Sequence, residues 1–523
     1  MKYVIFGLPG SGKGLYSSYI EEITGAKQLS TGDLLRKMRR EDDSEIGDEL
    51  RKLGPTDFAS DDIIIQAIKK ELKNEVYANG VIFDGFPRTL VQAQKMIELD
   101  IIPDAIISVE CPEDTIAKRI TGRRVHPQSG RVYHITNKPP VNEGVDDLTG
   151  EPLITREDDK IELLSKRFND FYEKTKPAFD FLKEKCKNGS GPVFTKISGD
   201  ITPEEAYNEL KITTGSIKAI HKIRELHSFT LVISPYDLNN KEKDDILLRE
   251  GLHQSLMNGE VPFSPEIFYF QKNMLDPKKE EHMNAVREIT DYILLKSHKL
   301  LVIAKNKNNK DSSLKSSNVD GKDIFLSKDN LLLILKAKNL GKEISFIHED
   351  QLNPQIKKYN DPSVLFSISS SVIDSGEIIS LLKKQNPILT EVLSPETNFV
   401  IIESPYAGNK EEIIRNENYA RSAAIDCLSK GEIPFASHIL YTQKGILDDK
   451  KPAQRRLGIE AGLTFGEICG KSVLYSDLGM TEGMVEGIEK AKNSGRNVEI
   501  RQVENFNDLY KKALNKRNKN LNP

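Results

Sequence analysis

The run Gly7-Leu8-Pro9-Gly10-Ser11-Gly12-Lys13-Gly14 constrains this chain more than any other stretch of it. It follows a β-branched and aromatic segment, Lys2 to Phe6, that reads as a buried strand, and it opens a helical stretch from Leu15 to Ile23. Strand, glycine-rich turn and helix in that order make a phosphate-binding loop. Glycines let successive backbone N–H groups turn inward on an anion, the helix N-terminus adds positive potential, and Lys13 adds a full charge. Taken alone, the run also suits an ordinary glycine turn opening a helix. Gly14 stands where such loops usually place the Ser or Thr that holds Mg²⁺. The ion then needs other ligands, and Asp33 and Asp84 are the candidates, acting through water because Mg²⁺ gives up its waters reluctantly.

At 523 residues the chain exceeds what one hydrophobic core supports, and roughly two to four domains are expected. A hydrophobic content of 38% with 29% charged residues fits a soluble globular protein. The net charge of −4 argues against nucleic acid or a membrane surface as a dedicated partner. No apolar run reaches membrane-spanning length, and the apolar start before Gly7 is too short for a signal peptide. The four cysteines, Cys111, Cys186, Cys427 and Cys469, are scattered without a Cys-x-x-Cys pair, so neither disulfides nor zinc are suggested. A cytoplasmic location is the expectation.

Two further motifs follow the loop: Ser30-Thr31-Gly32-Asp33-Leu34-Leu35-Arg36 and Asp84-Gly85-Phe86-Pro87-Arg88-Thr89. With Gly7 to Gly14, in this order and at these gaps, residues 1–214 resemble the adenylate kinases of bacterial type. The resemblance implies Mg²⁺-dependent phosphoryl transfer, ATP + AMP = 2 ADP, on a parallel sheet with an AMP-binding part at about 30–59 and a lid at about 122–159. It implies Gly10, Ser11, Gly12, Lys13, Gly14, Arg119 and Arg123 on the ATP side. Thr31, Arg36, Gly85, Arg88, Gln92, Arg156 and Arg167 would serve AMP, with Lys13, Arg88, Arg123, Arg156 and Arg167 acting in catalysis. The chemistry agrees, because phosphoryl transfer leaves the protein mostly positioning and electrostatic clamping to do, and Arg offers a planar, permanently charged fork. Any one of these arginines taken singly also suits a surface ion pair.

The lid segment reads Arg123-Arg124-Val125-His126-Pro127, Gly130-Arg131-Val132-Tyr133-His134 and Asp146-Asp147-Leu148-Thr149-Gly150. Some relatives hold this lid with four cysteines around zinc. Here the corresponding positions are His126, Ser129, Asp146 and Thr149, residue types expected to form a hydrogen-bond network and not a thiolate zinc site. Two departures stand out: Leu15 and Tyr16 replace the threonine and glutamine of most relatives. The lost hydroxyl costs roughly 1.5–3 kcal/mol of binding to a charged phosphate, which predicts a slower or weaker-binding kinase. Pro55 to Asp61 lacks the Gly-Lys that relatives carry near the AMP base, which leaves a relaxed monophosphate preference open.

Beyond about residue 215 an internal repeat takes over. Ser234-Pro235-Tyr236 recurs as Ser404-Pro405-Tyr406, Gly259 to Phe263 as Gly431 to Phe435, Tyr269-Phe270-Gln271-Lys272 as Tyr441-Thr442-Gln443-Lys444, and Leu275-Asp276 as Leu447-Asp448. Lys299 to Ala304 aligns with Lys471 to Ser476. The offset is 170 at the first pair and 172 afterwards. Each copy reads strand, helix, loop, helix, strand, helix, strand, which predicts two tandem Rossmann-like α/β domains at about 226–350 and 396–505, with ligands at the carboxyl ends of their strands. The first copy lacks the loop Asp477 to Met484 and carries instead a polar insertion, 305–322, expected to be disordered.

The second copy resembles a family of phage and bacterial proteins related to nucleoside 2-deoxyribosyltransferases, through Ser404-Pro405-Tyr406 and Gly458-Ile459-Glu460-Ala461-Gly462. The resemblance implies a second nucleotide or nucleoside ligand, with Glu460 as counterpart of a glutamate that attacks the sugar in N-glycosidic cleavage. Ser404, Tyr406 and Asp477 are the accompanying candidates, and His438 and Asp448 rank below them. Glu460 suits equally a helix-face glutamate between close-packing glycines, and Glu288 persists at its position in the first copy. The C-terminal half is therefore either a second enzyme or a non-catalytic sensing or assembly module.

Overall fold

A segment without polar alternation must bury both faces, and Lys2–Phe6 does so as β1, the middle strand of a five-stranded parallel sheet. The computed structural model describes residues 1–523 except 53–58, 130, 137–138, 156–160, 187–190, 235–240, 271–273, 305–314, 320–321, 327, 349–365, 368–398, 407, 431 and 504–523. It divides into two units, Met1–Ile217 and Lys218–Pro523.

In the first unit β1 leads through the glycine loop into α1 (Lys13–Thr24) and β2 (Lys27–Ser30). An arm of three helices follows, α2 (Thr31–Glu41), α3 (Glu45–Lys52) and α4 (Asp61–Glu71), before β3 (Val81–Asp84), α5 (Leu90–Glu98), β4 (Ala105–Glu110) and α6 (Glu113–Gly122). The lid contributes the antiparallel pair β5 (Arg123–Val125) and β6 (Val132–His134). Helices α7 (Ile161–Asp170) and α8 (Lys176–Lys185) lead to β7 (Val193–Ser198), and α9 (Pro203–Leu226) spans the boundary of the two units. The strand order is β2-β3-β1-β4-β7. Crossover helices make such order possible, and it brings Gly7, Asp84 and the arm to one edge, the carboxyl ends of β1, β3 and β2.

The second unit holds the repeat as two sheets of matching order. The first copy runs β8 (Phe229–Ile233), α10 (Lys241–Met257), β9 (Val261–Phe263), α11 (Glu280–Lys296), β10 (Lys299–Ala304), α12 (Lys328–Asn339) and β13 (Glu343–His348). Between β10 and α12 stand β11 (Lys315–Val319) and β12 (Lys322–Leu326), and β14 (Phe366–Ser367) adds an antiparallel edge. The second copy runs β15 (Phe399–Glu403), the helix Lys410–Ser429, β16 (Ile433–Phe435), the helices Ser437–Leu440 and Pro452–Phe465, β17 (Lys471–Tyr475), the helix Glu482–Asn493 and β18 (Asn497–Arg501). Orders β13-β10-β8-β9 and β18-β17-β15-β16 are the same order, so the tandem α/β reading holds.

Two readings need correction. The segment read as a loop within each copy contains a short strand, β9 or β16; its proline is tolerated because the strand is at an edge, where one side needs no N–H donor. The insertion expected to be disordered carries the strand Lys315–Val319, paired antiparallel with Lys322–Leu326, while 305–314 and 320–321 lie outside the described residues. The sequence signal for the pairing is Asp320-Gly321 between its strands, which polar composition hides.

The copies are joined by reciprocal contacts. The Tyr269 hydroxyl donates to the Pro434 carbonyl at 3.0 Å, and Tyr441, its equivalent, donates to the Pro262 carbonyl at 2.9 Å. Phe465 packs against all four facing aromatics, with ring centroids 6.1 Å from Phe229, 5.5 Å from Phe263, 5.5 Å from Phe399 and 3.9 Å from Phe435. At the amino edge of each sheet a lysine meets a glutamate, Lys299 with Glu260 at 2.8 Å and Lys471 with Glu432 at 2.5 Å, one member of each pair buried and the other half-buried. Because each tyrosine leaves a buried carbonyl unpaired when its hydroxyl is removed, Tyr269→Phe and Tyr441→Phe should each destabilise this unit by about 1–3 kcal/mol. Denaturant unfolding followed by tyrosine-independent circular dichroism measures it, and unchanged midpoints for both would show the bonds contribute nothing.

Candidate active site

The glycine loop of the first unit closes on its own lysine. Gly10 and Gly12 sit at φ 86° and 104°, a backbone region that disfavours side chains, and a Cβ on Gly10 would lie 2.6 Å from Ile120 Cδ1. The Lys13 ammonium donates to the carbonyls of Gly7 at 2.8 Å and Leu8 at 3.0 Å. Its pKa is pushed down from the usual lysine value to about 8, by burial first; Asp84 opposes this, and Arg88, Arg167 and Arg123 add to it. These side chains, at widely separated sequence positions, therefore act on one ammonium.

Arg88 feels Asp84, Arg167 and Arg36. Its Nε donates to the Gly85 carbonyl at 3.0 Å, and Gly85, at φ 82°, leaves room where a Cβ would come within 2.8 Å of the guanidinium. Asp84 accepts from Gln28 Nε2 at 2.9 Å, and Asp33 pairs with Arg36 one helical turn on. Ser11 Oγ and Thr31 Oγ1 are buried without a hydrogen-bond partner among the described residues. Arg119 reaches the Gly199 carbonyl. Arg156 lies outside the described residues. Gly14 has open space around its Cα, and Leu15 shows 42% of its surface to solvent. Tyr16, noted as a departure, is buried and donates to the Ser198 carbonyl at 2.6 Å, bracing the end of β7.

The carboxylate at the strand end and the crowd of cations fit a magnesium-bound polyphosphate: Asp84 offers a hard oxygen for a water-mediated ion, whereas Asp33 is turned to Arg36.

In the lid, His126 Nδ1 lies 2.7 Å from Ser129 Oγ, and Thr149 Oγ1 donates to Asp146 at 3.0 Å and stands 3.4 Å from His126 Nε2. The structure thus brings the four lid residues together. It adds three that spacing did not single out: Glu151, 2.6 Å from His126 Nε2; Arg131, which forks onto the Asp146 carboxylate at 2.8 and 2.5 Å; and Tyr133, which donates to it at 3.0 Å. Arg131 in first place holds Asp146 far below the usual carboxylate range. No group of three or more His, Cys, Asp or Glu side chains among the described residues is placed to hold a metal.

In the second unit Ser404 follows β15 and Asp477 follows β17, adjacent parallel strands, so both stand at the carboxyl edge. Ser404 Oγ is 2.9 Å from His438 Nε2, and the Tyr406 and His438 rings are 5.8 Å apart. Burial alone pushes the His438 imidazole down to about 4, so it is neutral. Asp477 accepts from the Tyr419 hydroxyl and from Val503 N. Asp448 serves a turn, accepting from Lys450 N at 3.1 Å. Glu460 is elsewhere engaged: its buried carboxylate takes Arg456 at 2.8 Å and Arg224 at 3.1 Å, and a Cβ on Gly462 would meet Ser437 Cβ at 2.5 Å. That is the geometry of a packed helix-face glutamate. Pro235, Tyr236, Gln271 and Lys272 of the first copy, and the Glu288 side chain, lie outside the described residues.

Below about pH 8 Lys13 carries its charge in the ligand-free protein and above it loses it, so kcat/KM for ATP should fall as pH rises through an apparent pKa near 8. A pH profile flat to pH 10 would contradict this.

Comparison with known families adds two matches. A family model described as adenylate kinase matches residues 5–187, which takes in the loop, the arm, Arg88, the lid and Arg167. A domain of unknown function, DUF7768, matches residues 398–501, the second copy of the repeat. The first match supports nucleoside monophosphate kinase activity for the N-terminal unit.

Proposed function

We propose that the N-terminal unit is an adenylate kinase, moving the γ-phosphoryl group of ATP to AMP. The observation that carries this is the convergence of Arg88, Arg123 and Arg167, with Asp84, on the half-buried Lys13. Such a concentration of positive charge is costly when empty and stabilising when it faces the charge spread over a transferring phosphoryl group. Loop N–H groups and Lys13 hold the donor phosphates, Arg88 and Arg36 with Thr31 and Gln92 hold the acceptor, and Arg119, Arg123, Arg156 and Arg167 close over both. Asp84 would hold magnesium through water, and the ion would supply charge that screens the phosphate oxygens from one another, while Asp33 holds Arg36. The lid network keeps its segment folded so that it can exclude water.

For the C-terminal half, the double arginine clamp on Glu460 favours a non-catalytic module over glycosidic attack by that residue. A nucleotide or nucleoside ligand would lie at the carboxyl edge by Ser404, Tyr406 and Asp477. No helix among the described residues is long and apolar enough to cross a membrane, and a cytoplasmic setting accords with substrates such as ATP.

A coupled assay of ADP formation by the whole chain with ATP, Mg²⁺ and each nucleoside monophosphate tests the reading. Turnover with AMP preferred is expected; turnover with another monophosphate and none with AMP would overturn the adenylate assignment. Arg88→Gln should lower kcat by about 10²–10³. Leu15→Thr, restoring a hydroxyl, should raise kcat/KM for ATP by about tenfold or more.

A further inference from the structure

The N-terminus of α4 does not use its first carboxylate on itself. Ser60 caps that helix by accepting from Ile63 N, and Asp61 instead reaches 28 and 31 residues along the chain to the start of α5. Its Oδ2 accepts from Thr89 Oγ1 at 2.9 Å and its Oδ1 accepts from Gln92 Nε2 at 2.8 Å. Thr89 is the cap of α5, its Oγ1 accepting from Gln92 N at 3.1 Å. Gln92 Oε1 accepts in turn from Arg88 N at 2.8 Å.

A side-chain amide can usually turn over and exchange its donor and acceptor ends. Gln92 cannot. A carboxylate can only accept, so it takes the N–H end of the amide, and the Arg88 backbone N–H can only donate, so it takes the oxygen; both ends of this buried amide are assigned. One N–H of Gln92 remains, with no further partner among the described residues. Asp61 belongs to the arm that carries Thr31 and Arg36, and Thr89, Gln92 and Arg88 belong to the sheet side, so the carboxylate also ties the two together.

We propose that Asp61 is a positioning residue for the acceptor nucleotide: it fixes the orientation of Gln92, so that the remaining N–H is held at one defined place for the base, and it braces the Gly85–Arg88 loop. This rests on the adenylate kinase reading. A fixed donor suits a base edge that offers a ring-nitrogen acceptor, as adenine does. It repels guanine, whose corresponding ring nitrogen carries a hydrogen. Base choice is thereby set by a residue of the arm that need not touch the base.

Steady-state kinetics of the whole chain with Asp61→Leu, similar in size but with no acceptor for Gln92, and Asp61→Glu, which keeps the charge, test this. Asp61→Leu should raise KM for AMP by about tenfold, leave KM for ATP and kcat within about twofold, and cut the preference for AMP over GMP by about tenfold. Asp61→Glu should recover part of that preference. Unchanged KM for AMP and unchanged base preference would overturn the proposal. So would a parallel rise of both KM values with a lowered Tm, the mark of a merely structural residue. A wild-type chain that phosphorylates other monophosphates but not AMP would overturn the adenylate reading itself, and this inference with it.

Discussion

Like charges gathered in a partly dry place repel, and the first unit is organised around that repulsion. Lys13 is drawn against two carbonyls in the glycine loop, with Arg88, Arg123 and Arg167 acting on it and Asp84 the opposing charge. Burial first, and the three guanidiniums after it, hold the Lys13 ammonium below the usual lysine range, with Asp84 opposing. The rest of the unit holds the cations in place. Parallel strand order sets the loop beside Asp84, Tyr16 anchors α1 to the end of β7, and the lid has its own lock in Arg131 and Asp146.

The second unit solves a different problem. Each copy of the repeat presents an aromatic edge that needs a cover, and the other copy supplies it. Phe465 fills the space among four aromatic rings, and two tyrosine hydroxyls meet two proline carbonyls in mirrored fashion. A chain that carries both copies gains the interface without a second molecule. This explains why the first copy keeps its strand order and its Glu260–Lys299 pair although it lacks the Asp477 to Met484 loop. Arg224, at the entrance to the first copy, also completes the ion pairing of Glu460 in the second.

Much of this was legible in residue order. The glycine loop, the two motifs after it and the repeat all depend on local backbone demands and on periodicity, which a sequence states directly. His126, Ser129, Asp146 and Thr149 could be grouped because a known lid has positions there, but Glu151 and Arg131 could not, since nothing in their spacing marks them as partners. The edge strands β9 and β16 were hidden by their prolines, and the paired strands 315–319 and 322–326 by their polar composition. For Glu460 the residue order leaves a nucleophile and a packed helix-face glutamate equally open. Its glycine-flanked setting suggests chemistry, whereas its environment is two arginines, one of them 236 residues away.

The sequence by itself determined the elements, their order, the anion-binding loop and the duplication, because helix and strand periods and glycine conformations are properties of neighbouring residues. Only the tertiary structure decided which charges meet. Asp61 finds Gln92, Arg167 acts on Lys13 and Arg224 finds Glu460 through strand order and helix packing, and Coulombic and hydrogen-bond energies depend on distance in space, on which separation along the chain is silent.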